Sequence, residues 1–400
     1  MADLLQSALP REGRAPGDIR VSWAPGRINI LGEHTDYNDG YVLPAATTQG
    51  TLVAAAPRPD GLFRVHSEAF GQTAEFDLQH LRAPTETRDW AAYVRGVVWV
   101  MARGEAALPG MDAVICGDLP IGAGLASSAS LEVACALALL DAAGVPMSPA
   151  ALGLACQEAE NRYVGVRCGI LDQFASIFAH HGAASLIDCR QLRVDQVNFG
   201  ADDCVFVVCD TTKARDLAAS DEYNKRREQC DAAAEALGVG KLRDATMEEL
   251  LRHRSRMPEV AFRRARHVVS ENRRVLQGVE ALGRGDFPEL GRLLCQTHES
   301  LRDDYEVSCT ELDEMVRAAC GTPGCLGARL IGAGFGGCVL AVVRVAEASA
   351  FCDAVKETYT ARTGRAGRTF ITSPACGARM LTARPADPAA AKDNGCTTSP

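Results

Sequence analysis

The sequence predicts an α+β protein of two domains. Strand-like and helix-like segments alternate without the regular βαβ order of a doubly wound sheet. A mostly helical stretch from about residue 211 to 320 separates two strand-rich regions. The length of 400 residues, 47% hydrophobic and 23% charged, is that of two ordinary globular domains.

In chain order, "IRVSWAPGRINIL" (19–31) and "YVLPAA" (41–46) read as buried strands around the polar stretch "GEHTDYNDG" (32–40). "TLVAAA" and "LFRVHSE" flank the turn signal "PRPDG", which predicts a hairpin over 51–68. "DWAAYVRGVVWVMAR" has helical periodicity, and "MDAVICGD" reads as a strand. "LPIGAG" is a glycine-rich loop before a helix that Gly144 closes, with Pro146 beyond it. The next helix opens with Ser148 as N-cap and Pro149 at its first position. "GILDQFASIFAHHG" predicts a short helix and "ASLIDCR" a strand. "ADDCVFVVCD" (201–210) is another strand and a natural place to change domain. After the helical stretch, "LGARLIGAGFGGCVLAVVRV" returns to strand, glycine turn and strand. The expected domains are therefore 1–200 and 201–381, with a disordered tail over 382–400.

The 42 basic and 51 acidic residues leave a net charge of −9, which argues against nucleic acid as a partner. The one basic run, "FRRARHVVSENRR" (262–274), is expected to be a solvated helix face. Sixteen cysteines, scattered through apolar runs without a C-x-x-C, suggest free buried thiols in a reducing cytosol. No basic start followed by an apolar run marks a secretory signal, and no apolar run is long enough to span a bilayer. A cytoplasmic protein with no membrane partner is expected.

The chemistry concentrates in glycine-rich loops. In "PIGAGLASSAS" (120–130), Gly122 and Gly124 let the backbone approach a ligand, and Ser127, Ser128 and Ser130 stand at a helix N-terminus. Free N–H groups and the helix dipole there favour phosphate. The loop lacks the lysine of G-x-x-x-x-G-K-[ST] and does not fit G-x-G-x-x-G. "GAGFGG" (332–337) is a second such turn, and "APGR" (24–27) leads into "GEHTDYNDG", which is longer than a plain hairpin turn. These features favour an enzyme acting on a small phosphate-bearing ligand over a module that only senses one.

"APGRINILGEHTDYNDGYVLP", "PIGAGLASSASLEVA", "CGILDQF" and "LIGAGFGGC", in this order, resemble the galactokinases, sugar kinases of the GHMP superfamily, and the resemblance extends over roughly 18–380. It implies an N-terminal domain like ribosomal protein S5 domain 2, a ferredoxin-like C-terminal domain and an active site between them. The implied reaction is transfer of the ATP γ-phosphoryl group to the anomeric hydroxyl of α-D-galactose. Asp172 would be the general base, with Arg27 beside it. Glu33, His34, Thr35, Asp36, Gly169 and Tyr223 would bind the sugar. The phosphates would lie on Gly122, Ala123, Gly124, Leu125, Ala126, Ser127 and Ser128, with Ser67, Trp90 and Tyr93 near the nucleotide. Ser128 and Glu160 would hold Mg²⁺, while Glu158, two positions away on a helix, points outward. The expected partners are galactose and ATP alone, with the chain a monomer or weak homodimer.

Several positions depart from the family pattern. Ala126 stands where serine is usual, Ile331 where threonine is common, "SDEY" replaces "SEY", and Trp23 occupies a normally small position. Two alternatives accompany the reading: a kinase for N-acetylgalactosamine, and a non-catalytic sensor of galactose and ATP. The sensors lose part of the serine loop, which is full length here.

Overall fold

The computed structural model describes residues 1–11, 16–81, 89–104, 108–199, 203–214 and 218–382. The expected C-terminal tail lies outside them beyond Thr382. The first sheet is built from β1 (Arg20–Leu31), β2 (Tyr41–Arg58), β3 (Leu62–Ser67), β4 (Gln72–Asp77), β5 (Gly110–Gly117), β6 (Ala183–Asp188) and β7 (Arg193–Asn198). The second contains β8 (Cys204–Asp210), β9 (Cys325–Leu330), β10 (Cys338–Arg344) and β11 (Arg368–Thr372), while β12 (Arg379–Met380) returns to the first.

The first sheet has the order β12-β1-β2-β5-β3-β4, with β6 on β2 and β7 on β6; the second is β11-β8-β10-β9. The hairpin expected over 51–68 does not form. β5 lies between the two strands, antiparallel to β2 and parallel to β3. "MDAVIC" is almost wholly buried, with its one charge, Asp112, paired to Arg58 at 2.8 Å, as suits a central strand. "PRPDG" reverses the chain, yet a turn says nothing about a third strand arriving from fifty residues away.

Along β1 and β2 the register jumps from Pro25 opposite Gly50 to Arg27 opposite Ala46. Proline cannot donate to the ladder, and such irregularities re-aim side chains. A Cβ on Gly26 would stand 2.7 Å from the carbonyl oxygen of Leu125, so only glycine lets β1 approach the 120–126 loop. The Arg27 N–H then donates to that carbonyl at 3.0 Å.

Six helices precede or enter the second half: α1 (Ala2–Ala8), α2 (Ala91–Met101), α3 (Ser127–Ala143), α4 (Pro149–Glu158), α5 (Leu171–Phe178) and α6 (Ala218–Leu237). Gly144 closes α3 at φ 71°, and the Ser148 side chain accepts from the Ala151 N–H at the start of α4, both as expected. The remaining helices are α7 (Met247–Arg252), α8 (Glu259–Gly283), α9 (Phe287–Asp303), α10 (Thr310–Cys320) and α11 (Ala348–Thr363).

The solvated face expected for 262–274 is corrected by α8. Arg264, His267, Glu271 and Arg274 are buried, while Arg266 and Arg273 remain exposed. Buried charges need partners, and these have them. Arg264 meets Glu306 at 2.6 Å, and Arg274 Nε donates to Glu271 Oε2 at 2.6 Å. The cysteines among the described residues are free, as expected, apart from Cys376, which is disulfide-bonded.

Three large apolar clusters organise the interior. One joins α2 and α3 to the first sheet, and another surrounds β8, β9 and β10 with α8, α10 and α11. The third seats Ile28, Ile30 and Leu43 of the first sheet against Phe206, Val208 and Leu340 of the second. Ile331 belongs to this cluster and is fully buried, which accounts for an apolar residue at that position. The end of β1, and the polar stretch that follows it, are thereby fixed between the two sheets.

Candidate active site

The glycine loop ends at α3, which begins at Ser127. Gly122 and Gly124 take φ of 73° and 91°, and Ala126 is left-handed at φ 60°. A non-glycine residue there is uncommon, and alanine offers no side-chain cap, so the first N–H groups of α3 have no side-chain acceptor at the N-cap. The serines diverge. Ser127 Oγ accepts from the Gly122 N–H at 3.4 Å, and Ser128 Oγ donates to Glu160 Oε1 at 3.2 Å. Ser130 Oγ lies 2.8 Å from both the Ala24 carbonyl and Thr51 Oγ1, fully buried.

The 32–40 loop is held from the second half of the chain. Gly32 N–H donates to Glu271 Oε1 at 2.7 Å, and His267 Nε2 lies 3.0 Å from the Glu33 carbonyl. Glu33 Oε1 accepts the Gly332 N–H at 2.6 Å and contacts Arg329 at 3.3 Å. His34, left-handed at φ 63°, has its Nδ1 2.8 Å from the Tyr37 hydroxyl, and its ring packs 5.5 Å from that of Tyr223. Thr35 faces inward, its hydroxyl 2.8 Å and 2.7 Å from the Gly32 and Tyr41 carbonyls. Asp36 packs against Gly169 so closely that a Cβ there would stand 2.1 Å from Oδ2.

Asp172, in the first turn of α5, meets Arg27 Nη2 at 2.7 Å, and Arg27 Nη1 donates to the Gly124 carbonyl at 2.5 Å. One guanidinium therefore ties the carboxylate to the glycine loop. Burial, and next the charge of Asp172, push the Asp36 carboxyl up to about 7; the same two causes push Glu160 up to about 7. The segment Ala159–Val164 widens into a π-turn, a feature frequent at functional sites. It turns Glu160 inward while Glu158 pairs outside with Arg103 and Arg162 at 2.6 Å and 2.8 Å.

These groups surround a cavity of about 460 Å³. Thr35, Ala123 and Leu125 are the expected site residues that do not line it; every other one does, Ser67, Trp90 and Tyr93 included. Leu125 is fully buried in the cluster between the sheets. Sequence reading missed Phe70, Ile121, Leu131 and Cys168, as well as Gly332 and Ala333 of the second glycine turn. Phe70 and Ile121 are 46% and 59% exposed, and Phe70 stacks on Trp90 with centroids 6.0 Å apart. No motif announces exposed apolar residues on a cavity wall. The second glycine turn was visible as a turn; only its contact with Glu33 places it at the site.

Oxygen donors suited to a hard divalent cation are present, since Ser128 Oγ and Glu160 Oε1 are neighbours on the cavity wall. Among the described residues no group of three or more His, Cys, Asp or Glu side chains could hold a metal alone. Phosphate oxygens of a bound nucleotide would have to complete such a site. Among the described residues, no helix is long and apolar enough to cross a membrane.

Comparison with known proteins places this cavity in context. Residues 11–57 match the galactokinase galactose-binding signature, 92–180 the GHMP kinases N terminal domain, and 279–361 the GHMP kinases C terminal model. A galactokinase from Roseiflexus is 44% identical over 90% of this chain and 93% of its own. Human galactokinase is 41% identical over 95% and 97%. The crystal structure of Lactococcus lactis galactokinase complexed with galactose superposes with a TM-score of 0.89 at 34% identity, covering 95% of this chain and 98% of that one.

Proposed function

The chain belongs to the galactokinases, sugar kinases of the GHMP superfamily, and we propose that it transfers the γ-phosphoryl group of ATP to the anomeric hydroxyl of α-D-galactose. One observation carries this reading at the level of residues. The Arg27–Asp172 pair stands on the same cavity as the Glu33–Asp36 loop and the glycine loop of α3.

The sugar binds against the 32–40 loop. Glu33 and Asp36 accept from ring hydroxyls, His34 and Tyr223 add polar contacts, and Gly169 leaves room for the Asp36 carboxylate. Trp90, Phe70 and Ile121 cover the base, while the N–H groups at the start of α3 take the phosphates. Asp172 receives the proton of the anomeric hydroxyl, and the hydroxyl oxygen of the sugar attacks the γ-phosphorus as the bond to ADP breaks. Arg27 orients Asp172 and stabilises charge on the phosphoryl group. Pairing with a guanidinium favours the ionised carboxylate, so proton transfer comes late, which suits a loose transition state governed by positioning. Ser128 and Glu160 are the residues that would hold Mg²⁺, which would supply charge neutralisation at the phosphates of the nucleotide. We place the chain in the cytoplasm, as a monomer or weak homodimer.

Galactose and glucose differ only in the orientation of the 4-hydroxyl, so size cannot separate them. A hydrogen-bonding site can, at about 1–3 kcal/mol for each polar group left unpaired. The test is kcat/KM for galactose, glucose and N-acetylgalactosamine with Mg·ATP, scored by ADP release and by the sugar phosphate formed. Strong preference for galactose is expected. Comparable values for galactose and glucose, preference for the N-acetyl sugar, or binding without ADP release would overturn the assignment.

A further inference from the structure

Behind Glu160 lie two polar side chains that the reaction as described does not use. Gln173, next to Asp172 on α5, and Glu132, on α3, are both fully buried. Gln173 Nε2 donates to Glu160 Oε2 at 3.0 Å and to Glu132 Oε2 at 3.2 Å. Cys168 Sγ approaches the same Glu160 oxygen at 3.4 Å. Glu160 Oε1 is left beside the Ser128 hydroxyl. Among the described residues, Glu132 Oε1 and Gln173 Oε1 have no hydrogen-bond partner.

This arrangement is expensive for a core. Alanine, valine, leucine and cysteine fill most of the other buried positions of α3, so an apolar residue at 132 would avoid burying a carboxyl group. The group it does bury is joined to Glu160 by one amide nitrogen, whose two protons point in fixed, divergent directions. Such a tie determines which way the Glu160 carboxylate faces. We propose that Gln173, anchored by Glu132, is a positioning residue that holds Glu160 with Oε1 beside Ser128, ready for a nucleotide-bound divalent cation. The inference rests on the reading that Ser128 and Glu160 hold that cation. Partners behind a metal-ligating carboxylate typically govern affinity by about 10–100-fold.

The experiment compares the full chain with Gln173→Leu, Glu132→Leu, Glu132→Gln and Glu160→Gln. Mn²⁺ binding to the protein–ATP complex is followed by electron paramagnetic resonance, alongside the Mg²⁺ concentration for half-maximal rate and galactose binding without nucleotide. Gln173→Leu and Glu132→Leu are expected to weaken Mn²⁺ binding and raise the half-saturating Mg²⁺ by about 10-fold or more, with galactose affinity unchanged. Glu132→Gln, which keeps an acceptor for the bridge, should stay within about 3-fold of the parent. If Gln173→Leu does not fold, the two Glu132 variants carry the comparison. A shift in Glu160→Gln without one in the leucine variants overturns the bridge and leaves the metal reading standing. A shift in Gln173→Leu but not Glu132→Leu removes Glu132 as the anchor. No shift in Glu160→Gln overturns the metal reading and this inference with it. An equal loss of galactose binding in the leucine variants overturns the bridge alone and marks it as packing.

Discussion

Asp172 sits where a side chain can be both held and reactive. It is paired with Arg27 at 2.7 Å, on the wall of the cavity, in the first turn of α5. Replacing it with Asn keeps the shape and removes the proposed base, so turnover should fall by about 10²-fold or more while the fold persists. Near-normal turnover, with unchanged circular dichroism, would make Asp172 a structural residue. Asp36 offers a second test, in pH rather than rate. Its folded pKa of about 7 lies above the ordinary 3.8, because burial and then Asp172 disfavour its charge. The folded chain therefore holds an extra proton between those values. The stability this group contributes is full below the unfolded pKa and is lost as pH rises through the folded one. Glu160 shifts in the same sense, so the parent slope contains both. Asp36→Asn removes one, and its urea midpoint should fall less between about pH 5 and pH 8 than the parent's does. Identical slopes would show that Asp36 is not held protonated.

At the scale of elements, α8 reads one way in sequence and works another. Its five arginines between residues 262 and 274 look like a solvated stripe, yet the helix crosses behind the 32–40 loop and holds it by the backbone. Gly32 N–H reaches Glu271 at 2.7 Å, and the Tyr41 N–H reaches Asn272 at 2.8 Å. Burial opposes the charge on Glu271, but Arg274, His267, Arg329 and the Gly32 N–H together outweigh it and hold its pKa at about 2. Sign matters here as well. With the folded value depressed below 4.5, the contribution is present above that pH and is lost as pH falls towards 2. Removing one partner of a buried pair leaves the other uncompensated, so Glu271→Ala should cost about 3–5 kcal/mol in urea unfolding near neutral pH. A loss under about 1 kcal/mol would mean that α8 is solvated after all. Periodicity could not separate these outcomes, because arginine on a helix looks the same whether it meets water or a buried carboxylate.

Across the whole molecule, the first and second sheets meet through β1, which carries Arg27 near its middle and delivers Glu33 just beyond its end. What the sequence by itself determined was local chemistry. Gly144, Ser148 and Pro149 set helix ends, Gly122 and Gly124 open the phosphate-type loop, and the residues around Glu33, Asp36 and Asp172 mark a sugar kinase. The helix ends and the loop are legible because each acts through its own backbone or immediate neighbours, and the site residues because their motifs resemble those of the galactokinases. Tertiary structure alone decided what depends on distant partners. It placed β5 between β2 and β3, turned Thr35 and Leu125 away from the cavity, and brought Phe70, Ile121 and Gly332 to its wall. It also buried Gln173 between two carboxylates and Glu271 beneath the 32–40 loop. The physical reason is one of range. A turn or cap is stabilised within a few residues of itself, whereas strand order, burial of charge and the facing of a side chain are settled by whichever segments, often more than a hundred residues apart, exclude water together.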